Sequence, residues 1–75
     1  MKDWKQIVGA NIRDLRKAKK GRSQEKLALK VGIDLTYMGG IERGKRNPSL
    51  LVLVRIAKAL GVQPGVLLVA RDRKR

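Results

Sequence analysis

Several residue types on which protein chemistry usually depends are missing from this chain. Its 75 residues include no cysteine, no histidine and only six aspartates and glutamates. Without cysteine there can be no disulfide, and the usual thiolate and imidazole ligands of metal sites are absent too. The few carboxylates are scattered along the chain, whereas general acid–base or nucleophilic catalysis normally uses histidine, cysteine or paired carboxylates. We therefore expect neither an enzyme nor a bound metal or cofactor.

Aromatic side chains and long apolar runs are also scarce. The chain has no phenylalanine, one tryptophan and one tyrosine, so a core must be built from aliphatic side chains. The longest apolar clusters, at residues 50–54 and 66–70, are far shorter than the ~20 residues that span a bilayer. A secretory signal pattern is absent as well. We expect a cytoplasmic protein with no membrane partner.

Positive charge dominates the composition. Nineteen lysines and arginines against six acids give a formal net charge of +13 and a sequence pI near 11.3. This imbalance favours a polyanionic partner such as nucleic acid, although basic surfaces also occur in proteins that have none. The length predicts a single domain, residues 1–75, with a basic tail at about 71–75. It leaves no room for a separate sensor domain, so we expect no small-molecule effector.

Hydrophobic periodicity predicts an all-α fold with five helices and no strand. The first helix should run from Asp3 to about Lys20, and the fourth from Leu50 to about Leu60. The predicted inner face of the fourth helix consists of Leu50, Leu53, Ile56, Ala57 and Leu60. A short fifth helix should begin at Pro64, because proline suits the first turn of a helix, and reach about Val69.

The centre of the chain, residues 23–47, reads as two short helices around a tight turn and a basic loop. Ser23 can cap the first helix, and Gly32 can end it in the left-handed conformation. Asp34 can cap the second helix, over about residues 35–42. Two helices joined by about three residues cross steeply, as in the helix-turn-helix unit that lays its second helix in a DNA groove. We therefore expect residues 35–42 to form a recognition helix.

A set of short motifs stands in order along residues 8–68: SQEKLA, VGI, TY, GIERGKRNPSL and IAKALGV. Together they resemble the helix-turn-helix family of lambdoid phage repressors and Cro, often called the XRE family. Within that family the chain looks most like the controller proteins of restriction–modification systems and short XRE-type regulators. The resemblance implies a homodimer that binds both half-sites of a palindromic operator in double-stranded DNA, with the recognition helix in the major groove.

The resemblance also implies DNA contacts for individual residues. The base-contacting residues would be Gln24, Leu35, Thr36, Gly39 and Gly40. The phosphate-contacting residues would be Ser23, Tyr37, Arg43, Lys45, Arg46 and Asn47. The three cations within residues 43–46 agree with this assignment, because phosphate contacts supply affinity without choosing a base sequence.

The chain departs from the family pattern at some of these positions. Leu35, Gly39 and Gly40 carry no side-chain donor where relatives often have Gln, Arg, Ser or Asn. Specific recognition would then come from Thr36, from Leu35 against a thymine methyl group, or from backbone and water. The two glycines either allow a close approach of the helix to the groove or reflect sequence drift that the fold tolerates. Arg22 stands where relatives usually have a core leucine, and we expect it to reach a phosphate instead.

Two further sets of contacts are expected within and between protomers. In many relatives an arginine late in the first helix forms a buried ion pair with the glutamate of the IERG motif, here Glu42. Arg16 is the preferred partner because its forked guanidinium suits a carboxylate. The first helix looks one residue longer than is common in relatives, however, which leaves Lys17 as an alternative. The predicted dimer interface is an apolar patch that one core cannot cover, formed by Val54, Val66, Leu68 and Val69.

The sequence therefore predicts a sequence-specific, homodimeric DNA-binding transcriptional regulator that is cytoplasmic and associated with the nucleoid. It would repress where its operator overlaps a promoter and activate where the operator lies beside one. Two alternatives remain open. One is an antitoxin-like protein that binds a toxin and regulates its own gene. The other is a nucleic-acid-binding protein without sequence preference, which the glycine-bearing recognition helix and the high charge would suit.

Overall fold

A computed structural model describes residues 2–71 of the chain. Its elements are α1 (Trp4–Lys17), α2 (Gln24–Val31), α3 (Leu35–Glu42), α4 (Leu50–Leu60) and a 3-10 helix (Pro64–Leu68). No strand occurs between residues 2 and 71, and the all-α prediction is confirmed. Of the predicted basic tail, residues 72–75 lie outside the described residues.

The fifth predicted helix is a 3-10 helix instead of an α-helix. Its backbone N–H groups donate to the carbonyl three residues earlier, as in a 3-10 helix. Val66 N–H donates to the Gln63 carbonyl (3.0 Å), and Val69 N–H donates to the Val66 carbonyl (3.4 Å). The segment has only five residues and includes a glycine, which favours an α-helix little, and short 3-10 helices are common in such connections.

Helix α1 ends at Lys17, earlier than the predicted end near Lys20. The chain turns at Gly21, which has a positive φ of 77°. The side chain of Arg22 then occupies the end of the helix, where its Nη2 donates to the Leu15 carbonyl at 2.6 Å and its Nε donates to the Arg16 carbonyl at 3.4 Å. Since the last carbonyls of a helix lack internal partners, a cation at this position both satisfies them and interacts favourably with the helix dipole.

The predicted caps of the central helices are present. The Ser23 hydroxyl accepts from Lys26 N–H at 3.0 Å, and the Asp34 carboxylate accepts from Tyr37 N–H at 2.7 Å. Gly32 ends α2 in the left-handed conformation with a φ of 86°. Each cap satisfies an otherwise unpaired backbone group, so the turn between α2 and α3 is determined by local sequence.

The core lies between the helices and is entirely aliphatic apart from methionine. Its buried apolar residues are Val8, Ile12, Leu27, Ala28, Val31, Met38, Ile41, Ile56, Ala57, Leu60 and Leu67. The assignment of Leu50 to the inner face of α4 was wrong, because its side chain is 71% exposed. Leu50 is the first residue of α4, which places it beyond the edge of the core that Ile56 and Leu60 reach.

Asn11 attaches the 3-10 helix to α1. Its side chain is fully buried, and its amide donates to the carbonyls of Leu67 (2.9 Å) and Val69 (2.8 Å). A buried amide is stabilising only when it is hydrogen-bonded, and here its partners are backbone groups that would otherwise be unpaired. The sequence contained a hint of this role, because Asn11 shares the α1 face of Val8, Ile12 and Leu15.

Gly9 allows α1 to touch the backbone at the end of α3. A Cβ atom at this position would lie 2.2 Å from the Ile41 carbonyl oxygen and 2.7 Å from that of Glu42. Contacts this short with backbone atoms are impossible, so any larger residue would push the two helices apart. Helix α3 is therefore held against α1 at close to the minimum distance.

We expect Gly9→Ala to lower the free energy of unfolding by about 2 kcal/mol or more, because the added methyl group forces a backbone shift. Helix propensity alone would favour alanine by ~1 kcal/mol, so the sign of the effect is informative. The measurement is urea unfolding, with Gly65→Ala as the control, since nothing lies within 4 Å of a Cβ at that residue. A Gly9→Ala protein as stable as the control would contradict the close contact.

Candidate nucleic-acid interface

The exposed face of α3 begins with two accessible side chains. Leu35 is 46% exposed, and Thr36 is exposed beside it. Tyr37 is half-buried and packs against the core. The buried side of the same helix is formed by Met38 and Ile41. A helix that is buried along one side and open along the other can enter a groove without unfolding.

The middle of this face has no side chains of its own, but it is covered by neighbouring ones. A Cβ at Gly39 would lie 3.0 Å from Arg43 Nη1 and 3.3 Å from Gln24 Oε1. A Cβ at Gly40 would lie 2.6 Å from Arg46 Cγ. The guanidinium of Arg46 also lies over the Tyr37 ring, 5.7 Å from its centroid, at cation–π distance. Both glycines are buried under polar and charged side chains, a feature that sequence reasoning missed.

The loop after α3 is fixed at its start and open at its end. Gly44 adopts a φ of 75° and packs against Gln6, whose Cα would lie 2.9 Å from a Cβ at Gly44. Lys45 N–H donates to the Gly40 carbonyl at 2.8 Å, which closes the end of the helix. The predicted phosphate-contacting residues Lys45, Arg46 and Asn47 are all exposed. The loop thus holds cations at the C-terminal end of α3.

A single carboxylate joins α1, α2 and α3. Glu42 accepts from Arg16 twice, through Nε (2.8 Å) and Nη2 (3.0 Å), and accepts from Gln24 Nε2 at 3.0 Å. The side chains of Glu42 and Arg16 are only 2% and 13% exposed. The partner of Glu42 is therefore Arg16, whereas Lys17 is exposed. The bidentate geometry that lysine cannot provide accounts for this choice.

Two residues at the start of α2 are already engaged in the protein. Arg22 donates to the carbonyls at the end of α1, and its own carbonyl accepts from Arg16 Nη1 at 3.3 Å. The Ser23 hydroxyl serves as the cap of α2. A phosphate contact from either residue stays a prediction, and Arg22 would have to combine it with its bonds to α1.

Arg55 is a structural contact that the sequence did not indicate. Its Nη2 donates to the Val31 carbonyl at 2.6 Å, at the end of α2, and it lies 2.8 Å from where a Cβ of Gly32 would be. This bond ties α4 to the helix-turn-helix. No local pattern could have revealed it, because the two partners are far apart in the sequence.

The residues assigned to a dimer interface are at least partly exposed. Relative exposures are 38% for Val54, 37% for Val66, 48% for Leu68 and 50% for Val69. Leu50 and Leu51, at the start of α4, add two leucines that are each 71% exposed. The 3-10 helix packs on α4, so the two elements that carry these apolar side chains are neighbours.

Residues 2–71 contain no group of three or more carboxylate, cysteine or histidine side chains arranged to hold a metal ion. None of the helices in this range combines the length and apolar character needed to cross a membrane.

Comparison with known proteins finds relatives that are named as control proteins and transcriptional regulators. A sequence model described as helix-turn-helix matches residues 12–67. The chain is 48% identical over 62 residues to the control protein C.BamHI of Bacillus amyloliquefaciens. The aligned region covers 83% of this chain and 76% of that protein. It is 44% identical over 62 residues to the control protein C.MunI of a Mycoplasma species, with 83% of this chain and 84% of that protein covered.

Solved structures agree with the sequence relatives. The restriction–modification controller protein C.AhdI from Aeromonas hydrophila superimposes with a TM-score of 0.79 at 46% identity, covering 84% of this chain and 94% of that one. The wild-type restriction–modification controller protein C.Esp1396I gives a TM-score of 0.77 at 37% identity, covering 89% and 87%. The chain therefore belongs to the helix-turn-helix family of XRE type, and restriction–modification controller proteins are among its close relatives.

Proposed function

We infer that this protein is a sequence-specific DNA-binding transcriptional regulator that acts as a homodimer on a palindromic operator. The observation that carries the inference is the open face of α3, whose glycines lie under Gln24, Arg43 and Arg46. It acts on nucleoid DNA in the cytoplasm. Its relatives named as control proteins and transcriptional regulators support a role in controlling genes.

Charge supports DNA as the partner of this face. Glu42 is the only acidic residue of α3 and of the loop that follows, and its carboxylate is buried and paired with Arg16. Arg43, Lys45 and Arg46 are exposed. A surface on which exposed cations predominate attracts a polyphosphate, and each phosphate contact contributes affinity that falls with salt.

We assign the contacts to two groups. Lys45, Arg46 and Asn47 of the loop bind the phosphate backbone, with Tyr37, Ser23 and Arg22 as further candidates. On the groove side, Thr36 offers a hydroxyl to a base edge, Leu35 packs against a thymine methyl group, and Gln24 with the backbone of Gly39 and Gly40 completes the face. Phosphate contacts set the position of the helix, and base contacts choose the sequence.

The direct test is footprinting on the DNA upstream of the protein's own gene, with random-sequence duplex as competitor. We expect protection of two half-sites about 10 base pairs apart, and roughly 10³-fold weaker binding to the competitor. If the upstream region is unprotected, binding sites are selected from a random duplex library, and footprinting is repeated on the selected sites.

A competitor that displaces the protein as well as every selected site would contradict sequence-specific binding. That outcome would favour the second candidate, a nucleic-acid-binding protein without sequence preference. The observation behind this candidate is that Leu35, Gly39 and Gly40 provide no side-chain donor to the groove, while the chain carries a net charge of +13.

For the homodimer we propose an interface formed by Val54, Val66, Leu68 and Val69. Apolar side chains that are about half exposed on a small domain gain by being covered, at roughly 25 cal/mol per Å² of area buried. A second copy of the chain offers the same face, which is the arrangement of a twofold-symmetric dimer.

Replacing Leu68 and Val69 together with serine should raise the dimer dissociation constant at least tenfold and weaken operator binding. The melting temperature of the monomer should change little, because both side chains are about half exposed already. Sedimentation equilibrium measures the dissociation constant. The control is Leu29→Ser on α2, where the leucine is 82% exposed. A dimer that is as tight in the double variant as in the control would place the interface elsewhere.

A further inference from the structure

The recognition helix lacks side chains where a groove-binding helix needs them most. Leu35 is apolar, and Gly39, one turn later, has no side chain. With Tyr37 assigned to a phosphate, α3 alone offers Thr36 as its side-chain hydrogen-bonding group for a base. Any further direct hydrogen bond to a base therefore has to come from a residue outside the helix.

Arg43 stands one turn beyond Gly39 and points back over it. It is the residue that follows the end of α3, and side chains on a helix lean towards the N-terminus, over the preceding turn. The structure shows this directly, since Arg43 Nη1 lies 3.0 Å from the position of a Gly39 Cβ. The absence of a side chain at Gly39 thus leaves room for the guanidinium over the middle of the helix.

The donors of Arg43 are uncommitted. Arg16 donates to Glu42, Arg22 to the end of α1 and Arg55 to the end of α2. Within residues 2–71 the Arg43 guanidinium donates no such hydrogen bond to a carboxylate or a backbone carbonyl, and the residue is exposed. Among these arginines it is the one whose donors remain free to bind a ligand.

Gln24 adds an acceptor at the same point. Its Nε2 donates to Glu42 at 3.0 Å, so its Oε1 is the end left free, and that oxygen lies 3.3 Å from the position of a Gly39 Cβ. A guanidinium and an amide oxygen thus meet above Gly39. This combination suits a base edge better than a phosphate, because a phosphate would be repelled by the oxygen.

We propose that Arg43 is a base-reading residue that recognises a guanine in the major groove across Gly39, in place of the phosphate contact that its sequence suggests. The planar guanidinium fork matches the O6 and N7 acceptors of guanine, the commonest specific pairing of arginine with a base. Gln24 Oε1 lies beside it and accepts from an exocyclic amino group of a neighbouring adenine or cytosine. The proposal rests on the DNA-binding function proposed above.

The test begins by selecting preferred sites from a random duplex library with the wild-type protein, Arg43→Gln and Lys45→Gln. We expect the wild type to require a guanine at one position of each half-site. The Arg43→Gln protein should lose that preference and bind the wild-type site roughly tenfold or more weakly, as expected for one lost bidentate contact. Lys45→Gln is the matched control, and should weaken binding to all sequences alike while keeping the guanine preference.

Two further measurements identify the atoms involved. Replacing the guanine by 7-deazaguanine, which lacks the N7 acceptor, should weaken wild-type binding but leave Arg43→Gln binding unchanged. Gly39→Ala should also weaken the guanine preference, because its methyl group meets Arg43 Nη1 and Gln24 Oε1. Its melting temperature should equal or exceed that of the wild type, since alanine favours the helix, so the loss could not be attributed to unfolding.

An Arg43→Gln protein that keeps the guanine preference would overturn the proposal. If it also loses affinity equally for all sequences, with a salt dependence reduced by about one unit of slope, Arg43 is a phosphate contact. The proposed function would survive that result. By contrast, a wild type that selects no sequence at all would remove the proposed function itself.

Discussion

The hydrogen-bonded ion pair of Arg16 and Glu42 is the interaction on which the recognition surface depends. It joins the end of α1 to the end of α3, and through Gln24 it also fixes the start of α2. Burying a carboxylate is costly unless it is fully paired, and here three donors satisfy it. One side chain therefore sets the relative positions of three helices, while the backbone contact at Gly9 sets the distance between two of them.

The same interaction also prepares the surface chemically. It removes the only negative charge of α3 from solvent, so the cations of the following loop dominate that face. It also orients Gln24 so that its amide oxygen lies above Gly39, beside Arg43. α3 has few side chains of its own on this face, and Gln24, Arg43 and Arg46, which flank it, bring polar groups over Gly39 and Gly40. If Arg43 reads a base as proposed, a helix poor in donors can still serve a sequence-specific regulator.

Local features of this fold could be predicted from the sequence, and tertiary ones could not. The caps at Ser23 and Asp34 and the stop at Gly32 depend on neighbouring residues, so their positions were correct. The predicted end of α1 was wrong, because it depends on the contact of Arg22 with the last carbonyls of the helix. The predicted burial of Leu50 was wrong, because it depends on where the core ends. In the sequence, Gly39 and Gly40 are positions without a side-chain donor, and only the folded chain shows which side chains cover them.

A double-mutant cycle between Arg16 and Glu42, measured by urea unfolding, tests this account most directly. Arg16→Met and Glu42→Gln should each lower the free energy of unfolding by about 3 kcal/mol, because each leaves a buried partner unsatisfied. The double variant should lose much less than the sum. Glu25→Gln, which removes an exposed acid of α2, serves as the control for the change in net charge. Losses that add to within ~0.5 kcal/mol, each no larger than the control, would contradict the central role of this ion pair.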